Sequence, residues 1–282
     1  MAVRIKKVAI LGCGLIGGAI ALDLQKHGGR SLEIVAYDRP GTVRSLAGNK
    51  RFTGRATGKI KEAVEDAGII ILSASLSANE KLLNSVADIR PLADCLIMDV
   101  GGVKQPVADL ARSLRFPDGV QFLPTHPMAG KETAGFDNAE HDIFRGHTWF
   151  VDDTVQLSSA NQDRLIWLLN KTGAVPAYIS SALHDDLIAE ISHLPQLIST
   201  VLGAQVNPDL LELSGPGLRS MLRLSGSPYT VWSELIDQNR ENIVEALTVY
   251  RDNLNAVLEV IENRKSLKDV FAAAARSYRC LS

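Results

Sequence analysis

The chain has 282 residues with a formal net charge of −2, and 46% of its residues are hydrophobic. These values predict one large or two medium globular domains, and they exclude the strongly basic surface that nucleic acid or an anionic membrane would require. The three cysteines are scattered without metal-ligand spacing, which favours a reducing, cytoplasmic setting, and no apolar run is long enough to predict a membrane span.

The first predicted element is a strand, Val8–Leu11, that leads into a glycine-rich turn and then a helix. Gly12, Gly14 and Gly17 have the spacing G-x-G-x-x-G, which is typical of turns that bind a dinucleotide. The first glycine permits the bend, the second admits the pyrophosphate, and the third lets the helix pack closely on the strand. The predicted cofactor-binding residues of this turn are Gly12, Gly14, Leu15, Ile16 and Gly17.

A second predicted strand, Leu32–Tyr37, is followed by Asp38, about 20 residues beyond the last glycine. A carboxylate at this position can bind the ribose hydroxyls of NAD, and it repels the 2′-phosphate of NADP. Arg39 either stacks on the adenine and admits NADP or is a solvated surface charge. The sequence therefore predicts NAD as cofactor, with NADP possible. Ser73 and Ala74, at the end of the next predicted strand, complete the predicted cofactor site.

Strands and helices alternate in the prediction as far as Ile179, because continuous apolar runs are separated by stretches of helical spacing. This alternation predicts a doubly wound parallel sheet, a Rossmann-like α/β domain. The predicted strands after Tyr37 are Gly68–Ser73, Cys95–Val100, Val120–Leu123, Thr148–Val151 and Ala174–Ile179. The predicted helices are Lys61–Ala67, Asn79–Ile89, Gln105–Leu114 and Asn161–Leu169, with Gly41–Asn49 a short helix or turn.

Beyond Ser180 the apolar spacing predicts helices only. We therefore expect an NAD(P)-binding domain over residues 1–180 and an all-helical domain over residues 181–282. An apolar stripe on the longest predicted helix favours a homodimer interface, and the alternative is a helix buried within one chain. Pro195, inside the first of these helices, predicts a kink. The predicted helices are Leu183–Val206, Tyr229–Glu262 and Leu267–Ser277.

The carboxyl ends of parallel strands are where ligands bind, and the segment Thr125–Glu132 (THPMAGKE) lies at such an end. His126 in this segment is the strongest catalytic candidate, because a histidine beside a nicotinamide can accept the proton of an alcohol that loses hydride. The alternative is a histidine that caps a loop. Arg219 and Arg223 are four residues apart, and they either bind a carboxylate together or form a solvated pair.

Two further histidines lie in the predicted helical domain. His193 lies on an otherwise apolar helix, where a histidine is more often a buried structural residue than a ligand. His184 is followed by Asp185 and Asp186 at the start of the same helix, and the acidic pair suits an N-terminal turn. We interpret His184, Asp185 and Asp186 as structural.

Five segments, in this order and spacing, resemble the prephenate/arogenate dehydrogenases of tyrosine biosynthesis, and the resemblance covers nearly the whole chain. It implies NAD(P)-dependent oxidative decarboxylation of prephenate and/or arogenate to 4-hydroxyphenylpyruvate and/or tyrosine by a homodimer. It also implies that His126 takes the proton of the ring 4-hydroxyl, that His193 lies beside cofactor and substrate, and that Arg223 binds a substrate carboxylate. The segments are GCGLIGG, DVGGVK, HPMAGKETAG, HDDLIAEISHLP and GLRSMLRLSGSPYTVWSELIDQNRENI.

Two predicted substrate-binding positions depart from the family pattern. Gly102 stands where the family commonly has Ser, and Gln196 stands where prephenate-preferring members often have a second His. Thr125 and Ser73 are candidates to replace the missing hydroxyl. The departures leave open prephenate, arogenate or a modified substrate such as a 4-amino analogue of prephenate. A non-catalytic NAD-binding protein and a dehydrogenase of the 6-phosphogluconate or pyrroline-carboxylate reductase type are the competing hypotheses.

Overall fold

The computed structural model describes residues 4–89, 94–131 and 133–280, with the side chain of residue 210 left aside. An eight-stranded sheet with the order β3-β2-β1-β4-β5-β6-β7-β8 comes first, and helices alone follow it. The predicted fold class, a Rossmann-like sheet followed by a helical region, is therefore confirmed. The strands are β1 Lys7–Leu11, β2 Glu33–Tyr37, β3 Arg55–Thr57, β4 Ile69–Leu72, β5 Leu96–Asp99, β6 Gln121–Pro127, β7 Thr148–Val151 and β8 Val175–Tyr178.

Helices cover both faces of the sheet, which explains the continuous apolar runs of its central strands. In β1, Val8 and Ile10 face one hydrophobic core, whereas Ala9 and Leu11 face the other. The first core is closed by α1 and α6, and the second by α3, α4 and α5. The helices around the sheet are α1 Leu15–His27, α2 Pro40–Gly48, α3 Ile60–Val64, α4 Leu76–Ile89, α5 Gln105–Ser113 and α6 Ser159–Thr172.

The sheet differs from the prediction at three places. The pair β6 and β7 is antiparallel, so the expectation of a purely parallel sheet is wrong at that pair. β3 has only three residues and was not predicted, because so short an edge strand has no period to detect. β6 continues past Leu123 to Pro127, and His126 lies within it, paired with Phe150 of β7. The backbone of His126 is therefore held in a sheet ladder and does not belong to a loop.

The helical region contains two breaks, and the sequence predicted a kink near the first of them only. The first predicted helix divides into α7 and α8 around a π-helical turn, Ala189–His193, in which Leu194 N–H donates to the Ala189 carbonyl. This turn lies immediately before Pro195, where we expected a kink. The predicted helix Tyr229–Glu262 divides at Asn239. The helices of this region are α7 Ser181–Ile188, α8 Leu194–Gln205, α9 Pro216–Leu222, α10 Tyr229–Gln238, α11 Arg240–Glu262 and α12 Lys268–Arg279.

The helical stretch Ser181–Gln205 is 25 residues long and apolar enough to pass a length-and-composition test for a membrane span. The expectation that no such segment exists was therefore too strict. The inner side of the stretch carries His184, Asp185 and His193, all of which are buried. Because buried ionisable groups need partners inside the protein, this side of the stretch packs against the site described next, whereas Leu183, Ile191 and Val201 on the stretch are exposed.

Candidate active site

The glycine turn between β1 and α1 has the geometry that its sequence predicts. Gly12 has a φ of +99°, and a Cβ there would lie 2.6 Å from the Ala74 nitrogen. A Cβ at Gly17 would collide with the Gly12 carbonyl, so helix and turn require glycine for their close packing. A Cβ at Gly14 would meet nothing within 4 Å, which leaves its backbone open to a ligand. These features fit a dinucleotide at the N-terminus of α1, where Leu15 and Ile16 begin the helix.

Asp38 lies directly after β2 and points at the glycine turn. Its Oδ2 accepts a hydrogen bond of 2.8 Å from the Cys13 N–H, and its Oδ1 accepts one of 2.7 Å from the Arg39 N–H. The carboxylate therefore holds the turn in place and retains lone pairs for ribose hydroxyls. The Arg39 side chain is 93% exposed, with its Nε 4.0 Å from the Asp38 carboxylate.

The two hydroxyls that sequence offered as substitutes at position 102 are both engaged elsewhere. Ser73 Oγ donates to the Gly12 carbonyl at 2.6 Å, and Thr125 Oγ1 donates to the Asp99 carbonyl at 2.6 Å. A hydroxyl has one proton to donate, so neither Ser73 nor Thr125 can replace the hydroxyl donor that the family commonly has at position 102. Ser73 instead braces the glycine turn from the adjacent strand.

Asp99 fixes the loop that carries Gly102. It is buried at the end of β5, where it accepts a hydrogen bond of 3.0 Å from the Gly101 N–H and binds the buried Lys104 ammonium. Its other oxygen accepts a bond of 3.3 Å from the Thr125 N–H in β6. The loop and β6 are thus tied to one carboxylate. As a result, a Cβ at Gly102 would lie 3.8 Å from Nε2 of His126, the next residue along β6.

His126 ends a chain of three side chains that joins the sheet to the helical region. Its Nδ1 lies 3.0 Å from Nε2 of His184, and Nδ1 of His184 lies 2.8 Å from Oδ1 of Asp185. Asp185 also accepts hydrogen bonds of 2.7 Å from the backbone N–H groups of Lys104 and Gln105. His184 and Asp185 are almost fully buried, whereas His126 is partly exposed.

This chain fixes the tautomers of both rings. Asp185 accepts three hydrogen bonds, as an ionised carboxylate does, so Nδ1 of His184 carries the proton. In the neutral ring Nε2 of His184 is then an acceptor, and Nδ1 of His126 must be the donor to it. The lone pair of His126 is left on Nε2, the atom nearest Gly102. The arrangement leaves Nε2 free to accept a proton, and the carboxylate at the far end of the chain would stabilise the imidazolium that forms.

The electrostatics of the site keep His126 neutral. Burial, with added effects of His184, Lys104 and His193, lowers the pKa of His126 well below its ordinary value of 6.5. A neutral imidazole is the form that accepts a proton, so His126 is competent as a base at neutral pH.

His193 lies at the end of the π-helical turn and is 1% exposed. Its Nδ1 is 3.2 Å from Nδ2 of Asn239, and its ring is perpendicular to that of Trp232, with the ring centroids 5.7 Å apart. Burial lowers the pKa of His193 to about 4, although the negative charge of Asp185 opposes the shift. Asn239 also donates to the Asp185 carbonyl at 2.7 Å. The residue at the helix break therefore links His193 to the backbone of Asp185.

Gln196 and Arg223 lie on one side of the helical region. Gln196 is buried, and its Nε2 donates to the Leu224 carbonyl at 2.8 Å, which places the 3₁₀ turn Arg223–Gly226 against α8. Arg219 and Arg223 lie in successive turns, and both are exposed. The structure brings His126, His184, Asp185 and His193 into one cluster. The predicted carboxylate-binding Arg223 is exposed, and its chain neighbour Leu224 is bonded to Gln196.

The family of the chain is shown by two sequence comparisons. Residues 20–178 match the family model of the prephenate dehydrogenase nucleotide-binding domain, and residues 180–273 match the model of its dimerization domain. The chain belongs to the prephenate dehydrogenase family. The prephenate dehydrogenase of Lactococcus lactis is 27% identical over 267 residues, which make up 93% of this chain and 73% of that protein.

Two further comparisons agree with this family. The cyclohexadienyl dehydrogenase of Zymomonas mobilis is 24% identical over 266 residues, which make up 92% of this chain and 89% of that protein. The crystal structure of Aquifex aeolicus prephenate dehydrogenase with hydroxyphenyl propionate and NAD⁺ has a TM-score of 0.86 at 22% identity, with both chains covered completely. That likeness establishes the shared fold across the whole length of this prephenate dehydrogenase family member.

Sequence reasoning missed His184 and Asp185, which it assigned to a structural helix start. Their link to His126 spans 58 residues and follows no short-range period. The one available signal was the position of an acidic residue next to a histidine in a helix that carries a second histidine. Glu132, the last residue of the THPMAGKE segment, lies outside the described residues.

A second cluster of ionisable groups lies at the opposite end of α1 from the glycine turn. Within the described part of the chain, Asp23, His27 and Asp142 form the one group close enough to ligate a metal. Asp142 is already bound by Lys26 and Arg145, at 2.5 and 3.0 Å. These two cations already compensate the carboxylate and would repel a metal ion, so we assign the cluster a structural role in joining α1 to the segment before β7.

Proposed function

We propose that this family member catalyses the NAD-dependent oxidative decarboxylation of prephenate, of arogenate, or of both. The observation that carries the proposal is the 3.0 Å contact from Nδ1 of His126 to Nε2 of His184, which leaves the lone pair of His126 on Nε2, facing Gly102 at the carboxyl edge of the sheet. The glycine turn and Asp38 at the same edge fit NAD, with NADP a possible alternative. The names of the relatives and the ligands of the Aquifex structure support the same reaction.

Bound NAD would accept a hydride from the hydroxyl-bearing ring carbon. The ring carboxylate leaves as CO₂, and the ring becomes aromatic. His126 takes the hydroxyl proton at Nε2. The chain through His184 to Asp185 orients the imidazole and stabilises the imidazolium that forms. Arg223 provides a cation for a substrate carboxylate, with His193 and Gln196 lining the same side. Gly14 and the N-terminus of α1 accept the pyrophosphate.

The experiment that tests this proposal follows NADH absorbance with prephenate and arogenate in parallel. We expect NADH formation with at least one of them, and a loss of about 10²–10⁴-fold in kcat for His126→Asn, the range for a general base. NAD affinity, measured by titration calorimetry, should stay nearly unchanged in this variant. Intact NAD binding with no NADH from either acid would favour the non-catalytic NAD-binding hypothesis.

We also propose that the chain divides into domains at residues 1–180 and 181–282 and forms a cytoplasmic homodimer. The matched description of the second half as a dimerization domain supports this. Free cysteines at positions 13, 95 and 280 suit a reducing compartment. On α11, Ile243 of the predicted stripe is buried, whereas its neighbour along the helix, Val244, is exposed. Exposed apolar side chains of this kind favour an interface. On α11 and α12 they include Val244, Leu254, Leu258, Ile261, Val270, Phe271 and Tyr278.

A further inference from the structure

Helix α10 of the helical region crosses to the sheet and is anchored on α4. The Glu234 carboxylate accepts hydrogen bonds from the Ser77 N–H at 3.1 Å and from Ser77 Oγ at 2.7 Å. One turn later, Gln238 Nε2 donates to a Glu80 carboxylate oxygen at 2.9 Å. A carboxylate at the first turn of α4 also interacts favourably with the helix dipole. These contacts hold the turn Glu234–Gln238 of α10 against α4.

Leu235 lies in this turn of α10, and its side chain reaches the loop that carries Gly102. A Cβ added to Gly102 would lie 2.9 Å from Cδ2 of Leu235 and 3.8 Å from Nε2 of His126. The side chain of Leu235 therefore fills the space that a side chain at position 102 would use. The neighbouring Gly101 is covered in the same way, because a Cβ there would lie 2.6 Å from Cδ2 of Leu76.

The contact makes one wall of the site apolar at the point where the base acts. Gly102 and Leu235 offer no side-chain hydrogen-bonding group, both are partly exposed, and the Cβ direction of Gly102 leads towards Leu235 and His126 Nε2. A ring whose hydroxyl meets His126 Nε2 would place the edge next to the hydroxyl-bearing carbon against this wall. A polar substituent on that edge would lose its water without gaining a partner, which is unfavourable.

We propose that Leu235 is a specificity-determining residue that contacts the substrate ring beside the hydroxyl-bearing carbon and selects rings without a polar substituent on the flanking carbon. This inference rests on the proposed function, since it requires a ring hydroxyl at His126. It names a chemical class: cyclohexadienyl acids, and their aromatic products, that carry hydrogen at the position next to the hydroxyl.

Binding of two product-like acids tests the inference without turnover. In the presence of NAD⁺, the affinities of 3-(4-hydroxyphenyl)propionate and 3-(3,4-dihydroxyphenyl)propionate are measured by calorimetry. The wild-type protein should prefer the monohydroxy acid by about 10–100-fold, the range for an unpaired polar group in an apolar pocket. Leu235→Ser, which opens space and adds a hydroxyl, should reduce that preference to within about threefold.

Two further variants separate specificity from structure. Ile236→Ala truncates the adjacent residue, which packs towards Ala189 and Ile243 and not towards Gly102, so it should preserve the preference. Gly102→Ala should displace Leu235 and weaken the monohydroxy acid several-fold, and Leu235→Ala added to it should restore affinity.

The outcomes distinguish this inference from the proposed function. A wild-type protein that binds both acids equally, or a Leu235→Ser variant with the wild-type preference, would overturn the role of Leu235 alone. A wild-type protein that binds NAD⁺ but neither acid, and forms no NADH from prephenate or arogenate, would contradict the proposed function itself.

Discussion

Nδ1 of His126 and Nε2 of His184 lie 3.0 Å apart, although 58 residues separate them in sequence. One ring belongs to the antiparallel end of the sheet and the other to the first helix after it. Because His184 is itself bound to Asp185, its Nε2 can only accept from His126 while the rings are neutral. The second histidine therefore determines which nitrogen of the first keeps a lone pair free to accept a proton.

Replacing His184 should alter catalysis through the tautomer of His126. We expect His184→Leu to lower kcat by about 10–100-fold, because Nδ1 of His126 loses its acceptor and the proton is no longer confined to that atom. His184→Gln keeps an acceptor oxygen and should retain more activity. The measurement is the pH profile of kcat/KM, whose acidic limb lies below pH 6.5 in the wild type because the pKa of His126 is lowered. Identical profiles for the wild type and both variants would show that His184 does not act through His126.

Asp38 should control the choice between NAD and NADP. Asp38→Asn removes the charge that repels a 2′-phosphate but keeps a side-chain oxygen for the Cys13 N–H. We expect the NAD-to-NADP ratio of kcat/KM to fall by about 10-fold or more. Steady-state kinetics with both cofactors measures this ratio. Glu33→Gln, at the opposite end of β2, is the matched control and should keep the wild-type ratio. An unchanged ratio in Asp38→Asn would contradict the ribose assignment.

His193 should make the folded protein sensitive to acid. Its pKa is about 4 in the folded state, and the unfolded chain has the ordinary value of 6.5. The unfolded chain therefore binds the proton first as pH falls, and the free energy of unfolding decreases between pH 6.5 and pH 4. The contribution lost by pH 4 is about 3 kcal/mol.

Urea unfolding of the wild type and of His193→Gln measures this effect. Glutamine keeps a partner for Asn239 without titrating. The wild-type free energy of unfolding should drop by about 3 kcal/mol more than that of the variant between pH 7 and pH 4. Parallel pH dependence in the two proteins would rule out His193 as the source.

The exposed apolar stripe of α11 should be the centre of the dimer interface. Leu258 is 53% exposed and lies in the stripe with Leu254 and Ile261. Leu258→Asp should weaken dimerisation by at least about 30-fold, as expected for a buried interface residue. Sedimentation velocity over a concentration series measures the change. Ala256→Asp places the same charge on the opposite, exposed side of α11 and should leave the dimer intact. A wild-type chain that sediments as a monomer would overturn the proposed assembly.

The parts of the fold that depend on local pattern were predictable from the sequence. The glycine turn, Asp38 at the end of β2 and the strand–helix alternation follow from residues that are neighbours in the chain. The antiparallel direction of β7 was not predictable, because an apolar run of four residues carries no direction. The break at Asn239 was also hidden, since its cause is a set of hydrogen bonds to Asp185 and Asn242 that exists only in the folded state.

The candidate site was predictable in part for a related reason. His126 could be identified from its place after a strand, but its partner could not. In a regular helix the nine residues from His184 to His193 amount to about two and a half turns, which places the two rings on opposite faces. The π-helical turn Ala189–His193 takes up one additional residue and brings them to within about a quarter turn of each other. A helical wheel drawn from sequence therefore separates two side chains that the folded protein buries together.

The single carboxylate of Asp185 serves two regions at once. It accepts hydrogen bonds from the backbone N–H groups of Lys104 and Gln105, at the start of α5, which packs on the sheet. Its own helix, α7, begins the helical region that follows the sheet. Proton placement on the imidazoles is consequently a product of docking: an isolated N-terminal half would contain His126 but would lack the acceptor that directs its lone pair. Chemical competence and the assembly of the two halves are thus one event, and a fragment comprising the nucleotide-binding half alone should bind cofactor yet remain inert.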